Sequence, residues 1–199
     1  AIKAIAERGG WVVRIGGADV TPLSDVEGVI DLATIRGHDP DLDTYCCAAG
    51  LFFLANESGP VFAATAFGVP LLGTNWFGYG VWPVSRNDLY IPKLLRNGDG
   101  RYLSMAEMVE PHFFGISAAE AYDSRGLEVI DNRPEDIRDA VVEMLDRLDG
   151  TVSYSDDEIA LEEDLRHRSD PYDIRSQGRI ARDFLNRHAD VLIDRRDEE

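Results

Sequence analysis

Residues 51–70 read LFFLANESGPVFAATAFGVP: an apolar run, a polar turn, a series of small residues and a closing glycine. Leu51 to Ala55 has the length and continuous apolar character of a buried strand. Asn56-Glu57-Ser58-Gly59-Pro60 interrupts it, and Val61 to Phe67 reads as a helix closed by Gly68. Pro60 suits the first helical turn, where a missing N–H costs nothing. Val69 to Gly73 is then another buried strand. A strand, a helix and a second strand in immediate succession make a crossover unit, which implies parallel strands.

The pattern extends in both directions. Trp11 to Ile15 and Gly28 to Leu32 read as buried strands, and Asp41 to Ala49 as a helix with Leu42, Tyr45, Cys46 and Ala49 on one face. Thr74 to Gly100 reads as irregular, rich in glycine and aromatics. A short helix follows around Ser104 to Val109, then a strand, Leu127 to Ile130. Asn132-Arg133-Pro134-Glu135 resembles a capping box, opening a helix whose apolar stripe is Ile137, Val141, Met144 and Leu148. From Asp156 the chain is charged, simplest as a solvated face, with one more amphipathic helix carrying Ile180, Phe184, Leu185 and Leu192. The expectation is an α/β fold: a Rossmann-like parallel sheet with helices on both faces over residues 1–150, and a charged C-terminal helical extension over 151–199. In such sheets ligands bind beyond the carboxyl ends of the strands, here the loops after Ala55 and Gly73.

Composition narrows the function. A formal net charge of −17 excludes a nucleic-acid partner, which needs clustered Lys and Arg. No run of 18 or more residues is apolar enough to span a membrane, and the start lacks the pattern of a signal peptide, so the expected location is cytoplasmic, compatible with peripheral membrane association. Adjacent Cys46 and Cys47 read as reduced, buried thiols. Neither His38 nor His112 shows metal or triad spacing, so neither a metal nor a cofactor is expected.

The Ser58-Gly59-Pro60 turn carries the strongest local chemistry. Ser58 can cap the helix, Gly59 admits another molecule close to the backbone, and the helix N-terminus offers N–H groups and a positive dipole end to a diphosphate. Its plainer reading is a helix start and nothing more. Arg86 and Lys93 read as cations beyond a strand end, able to neutralise an anion, although an isolated Arg is most often solvated. Trp76, Phe77, Tyr79 and Trp82 offer flat surfaces for a base or sugar, and some of them pack the loop. Arg14 ends the first strand and reads as a further cation able to reach the cleft.

The run from Asn56 to Pro70 resembles the donor-site motif of heptosyltransferases, with Phe62 standing where that family has His, which argues against an ADP-heptose donor. A fuller resemblance is to a family of bacterial surface-polysaccharide glycosyltransferases. It rests on GGWVVR at Gly9 to Arg14, GVPLLGTNW at Gly68 to Trp76, RNDLYIPKLL at Arg86 to Leu95 and NRPEDI at Asn132 to Ile137. The similarity spans roughly Gly9 to Leu148.

This resemblance implies the C-terminal half of a GT-B fold, whose active site lies between two Rossmann-like domains. The chain does not begin with Met and opens on what reads as a helix tail, so it is expected to be a fragment lacking the N-terminal domain that supplies the general base. The implied activity is transfer of a sugar from a nucleotide-sugar donor to a glycan or lipid-linked acceptor. The implied donor-binding set is Asn56, Glu57, Ser58, Gly59, Pro60, Thr74, Asn75, Trp76, Arg86, Lys93 and Arg14. Two alternatives stay open: a nucleotide-sugar epimerase of the same architecture, and a non-catalytic module binding a nucleotide or sugar phosphate.

Overall fold

The structure, a computed structural model, describes residues 1–17, 20–23, 26–35, 37, 39–77, 85–108, 119–169 and 177–193. Its centre is a four-stranded parallel sheet in the order β3 (Phe53–Ala55), β4 (Leu71–Trp76), β5 (Leu89–Pro92), β8 (Arg179–Ile180). Helix α3 (Gly59–Ala66) makes the β3–β4 crossover and packs on both strands, while α6 (Pro134–Leu148) packs on β4 and β5. The α/β expectation is met, with a parallel sheet flanked by helices in a Rossmann-like arrangement. The buried face of α6 is Ala140, Val141 and Met144, and Leu148 turns outward.

Two smaller sheets flank the main one. β1 (Val12–Arg14) and β2 (Val29–Asp31) pair in parallel only with each other, in register Val13 to Ile30. β6 (Leu94–Asn97) and β7 (Leu127–Ile130) form an antiparallel ladder. Three expectations therefore change. β1 and β2 are not buried strands: Trp11 is 69% exposed, and Val13 and Ile30 share an open face, because among the described residues no third strand or helix covers it. Thr74 to Gly100 is not wholly irregular, since it holds the end of β4 and all of β5 and β6. In α2 (Pro40–Ala49) the supposed core stripe faces outward, with Tyr45 67% exposed. Cys47 is the side chain that docks, clustering with Ala64 and Val69; the small alanines of α3 leave room for a helix to approach through a short side chain.

The C-terminal segment is the largest departure. It holds two helices, α7 (Asp156–Ser169) and α8 (Arg182–Leu192), and Ile180 lies not in a helix but in β8, paired to β5. Ile180, Phe184, Leu185, Leu192 and Ile193 are buried in the same core as Leu72, Leu89 and Met144. A solvated face is thus the wrong description of residues 177–193. The other elements are α1 (Ile2–Glu7), which sets Ile5 against the core, and short helices α4 (Met105–Met108) and α5 (Ala119–Asp123). Among the described residues no helix is long and apolar enough to cross a membrane.

Two buried glutamates fasten β8 from its outer side. Its inward N–H groups bond to β5 through Arg179 N to Asp88 O, 3.2 Å, and Ala181 N to Tyr90 O, 3.0 Å. On the other side Ile180 donates its backbone N–H to the Glu162 carboxylate, and Arg182 donates its own to Glu143, 2.6 Å. Tyr154 also donates to Glu143, 2.7 Å, and its ring lies 3.7 Å beneath the Arg179 guanidinium.

Burial pushes both carboxyls above the ordinary glutamate range, outweighing Tyr154, Arg182 and Arg179 around Glu143, and Arg179, Arg166 and the Ile180 N–H around Glu162. The folded protein then holds these protons more tightly than the unfolded chain. Their stabilising contribution is full below the ordinary glutamate range and is lost as pH rises through the elevated folded values. We expect the melting temperature to fall as pH rises above the ordinary glutamate range, and the fall to be shallower in the Glu143→Gln, Glu162→Gln double variant. Equal slopes in thermal melts of the two proteins would show that general charge repulsion alone sets the dependence.

Candidate functional site

The carboxyl ends of β3, β4 and β5 meet at one edge of the sheet. The Thr74 hydroxyl reaches the Ala55 carbonyl at 3.5 Å, and Lys93 donates its backbone N–H to Trp76 O at 3.0 Å, so the three strand ends are tied in sequence. After β3 the chain turns through Asn56 and Glu57 into α3, with Ser58 at its N-cap and Pro60 in its first turn. Ser58 makes no side-chain cap bond, contrary to the capping expectation. Ser58, Gly59 and Pro60 are exposed, and a Cβ on Gly59 would meet nothing within 4 Å, so the backbone there is open to a ligand. Phe62, one turn further along α3, is 76% exposed.

Across from this turn lies a layered cluster. The Phe77 ring stacks on Tyr122 of α5 with centroids 5.2 Å apart, and the Lys93 ammonium sits 4.7 Å above the Phe77 ring. Asp131 holds the same ammonium at 2.5 Å. Lys93 is 17% exposed and Asp131 70%, so the cation is reached from the solvent side past its carboxylate. Burial pushes the Tyr122 phenol up to about 12, and the charge of Glu57 adds to the shift. That coupling places the Glu57 side of the turn near the aromatic cluster.

Between the two parts stands the corner at the end of β4. Asn75 has φ +49°, the left-handed region, and is the only described residue other than glycine found there. The β4–β5 register shifts between Gly73 and Trp76, and Trp76 folds back over Gly73, where a Cβ would lie 2.7 Å from Cε3 of the indole. Asn132, just before α6, accepts from Asn75 N at 2.5 Å, receives Asn75 Oδ1 on its own N–H at 2.7 Å, and donates through Nδ2 to Pro92 O at 2.7 Å. Because its side chain is used this way, the helix-start box shifts one residue: Asp136 accepts from Arg133 N at 3.2 Å and from its guanidinium at 3.0 Å.

The expected residues thus separate into groups. Asn56, Glu57, Ser58, Gly59, Pro60, Thr74, Asn75, Trp76 and Lys93 share the carboxyl edge. Arg14 ends β1 and is engaged by Asp31 at 3.2 Å and by Thr21 O at 2.7 Å, bracing the small β1–β2 sheet. Arg86 does not join them. It precedes β5, beside Asp88, whose carboxylate takes the first N–H of β4 (Leu71, 2.9 Å), so it lies at the amino-terminal edge. There it binds Gln177 at 2.7 Å and its carbonyl accepts from Arg147 at 2.6 Å. The length of β5, roughly 13 Å at about 3.3 Å per residue, separates it from Lys93.

Tyr79, Trp82, His38 and His112 lie outside the described residues. Cys46 and Cys47 are free thiols, pushed up by burial. Among the described residues no group of three or more His, Cys, Asp or Glu side chains is arranged to hold a metal ion. Asp131 and Tyr122 escaped the sequence reading, which took Asn132 only as a helix start. Asn132 is 57 positions from its partner Asn75, a distance over which no local pattern operates. No family model matches the chain, and no curated protein or solved structure matches it.

Proposed function

We propose that this chain is the donor-binding half of a GT-B glycosyltransferase, holding the diphosphate of a nucleotide-sugar at the 56–60 turn. The observation that carries the reading is the shared edge: an open helix N-terminus at Ser58-Gly59 and the Lys93 ammonium stand at the carboxyl ends of β3 and β5, the parallel strands on either side of β4. When the bond from the anomeric carbon to the diphosphate breaks, negative charge accumulates on the leaving oxygens. Backbone N–H groups and an ammonium fixed in advance stabilise that charge. The acceptor, a glycan or a lipid-linked saccharide, and the base that takes its proton would be met by the second domain of a GT-B pair. The resemblance in residues 9–148 supports the same reading.

Calorimetric titration with UDP, GDP, ADP and CMP, with and without magnesium, tests it. We expect one nucleotide to bind whether or not magnesium is present. Lys93→Ala should weaken that binding about tenfold, or about 1.4 kcal/mol, and Ser58→Asp should abolish it by placing a carboxylate where the diphosphate lies. A folded protein that answers to none of the four would overturn the proposal.

A further inference from the structure

The left-handed backbone at Asn75 has no glycine to make it easy, yet the chain keeps it at the edge where the proposed ligand binds. Such a conformation persists when its surroundings over-determine it, and here the surroundings are one side chain. Asn132 is buried and three of its groups bond to strand ends: Oδ1 to Asn75 N, Nδ2 to Pro92 O, and its backbone N–H to Asn75 Oδ1.

We propose that Asn132 is a positioning residue, which locks the corner at Asn75 so that Trp76 and Phe77 are seated beside Lys93 before a ligand arrives. This rests on the donor-binding reading of the same edge.

The geometry leads from the lock to the site in three steps. Asn75 in the left-handed region breaks the β4–β5 register and turns the Trp76 indole back onto Gly73. With the indole there, Trp76 O faces β5 and takes the Lys93 N–H, which sets where the lysine leaves the strand. The next residue, Phe77, then presents its face to the Lys93 ammonium, with Tyr122 stacked behind it. Asp131, adjacent to Asn132, holds the other side of that ammonium. Behind the lock, Asp136 caps the Arg133 N–H and is itself gripped by Arg187 of α8, so the loop bearing Asn132 is anchored to the C-terminal helix.

The test uses a Trp11→Phe, Trp82→Phe background, in which Trp76 is the sole indole. In that background Asn132→Ala should shift Trp76 emission to the red, increase its quenching by acrylamide, and weaken nucleotide binding about tenfold at a temperature where the variant is fully folded. Asn75→Gly keeps the backbone N–H that Asn132 accepts and reaches positive φ without strain. It gives up only the Oδ1 that takes the Asn132 N–H, and should shift Trp76 emission less than Asn132→Ala does. Should Asn132→Ala fail to fold, Asn75→Ala leaves Asn132 in place and should move the same two readouts in the same direction.

Unchanged emission and affinity in a folded Asn132→Ala protein would overturn the proposal, as would an emission shift in Asn75→Gly as large as in Asn132→Ala. If the parent binds no nucleotide, the donor-binding reading fails by itself. The Trp76 signal then decides the lock: a red shift in Asn132→Ala upholds it, and an unmoved spectrum ends it.

Discussion

Ending the chain after Gly150 should abolish its cooperative unfolding. The deletion removes β8 and takes Ile180, Phe184, Leu185, Leu192 and Ile193 from the common core, together with Leu165 of α7. Burying a side chain of this size contributes roughly 1.5–3 kcal/mol, so losing five or six of them equals most or all of the roughly 5–15 kcal/mol that ordinary domains possess. The loss is not only apolar. β5 becomes a sheet edge with two unpaired carbonyls, Asp88 O and Tyr90 O, and Asp136 loses Arg187. Far-ultraviolet and near-ultraviolet circular dichroism through a urea titration would read the outcome. We expect retained helix signal, lost aromatic signal and a broad transition. A sharp transition at the parent midpoint would mean that residues 151–193 are an appendage after all.

Asp88→Ala should be the most damaging single substitution at a polar position, lowering stability by about 3–5 kcal/mol. The Asp88 carboxylate is buried at the amino-terminal edge. Oδ1 accepts from Leu71 N and Oδ2 from Ser85 N, both at 2.9 Å, so one side chain closes the start of β4 and the turn into β5. Alanine would leave both donors without an acceptor, one of them in the interior. Burial already pushes this carboxyl above its ordinary range despite those two bonds and the nearby Arg147, so charge is not what the site needs most. Asp88→Asn, which keeps one acceptor oxygen and removes the buried charge, should therefore cost about 1–2 kcal/mol. Thermal melts separate the cases: at about 2–4 °C per kcal/mol for a chain of this size, alanine should lower the midpoint by about 6–20 °C and asparagine by about 2–8 °C. Equal losses in both variants would assign the stabilisation to the charge attraction of Arg147 instead of to the bonds from the two backbone N–H groups.

Local chemistry was legible at the centre of the chain. Residues 51–73 carry their own instructions: an apolar run of strand length, a proline where its missing N–H is harmless, small residues where a helix must lie close, and Gly68 at φ +75° where the helix stops. Those signals act over a few residues, so the β3–α3–β4 unit and the placement of the Ser58 turn beyond a strand end could be read without the fold.

Partnership decided the rest. Trp11 and Tyr45 are large aromatics of a kind that cores often bury, and their spacing does not say whether a neighbour arrives to cover them; none of the described elements does. Arg86 and Lys93 stand seven positions apart, but a whole strand runs between them, which sends one to each end of the sheet. Ile180 fits a helical stripe by spacing and yet pairs with β5, because Arg179 and Ala181 find open carbonyls on that strand while Glu162 and Glu143 take the N–H groups on the other side. Asn75 and Asn132 meet only after α6 has packed on β4 and β5. The sequence by itself determined which segments could be strand, turn or helix, since propensity and capping are local free energies. Tertiary structure alone decided which faces were buried and which distant polar groups satisfied one another, since those choices depend on burial and hydrogen bonds between segments that the chain order does not bring together.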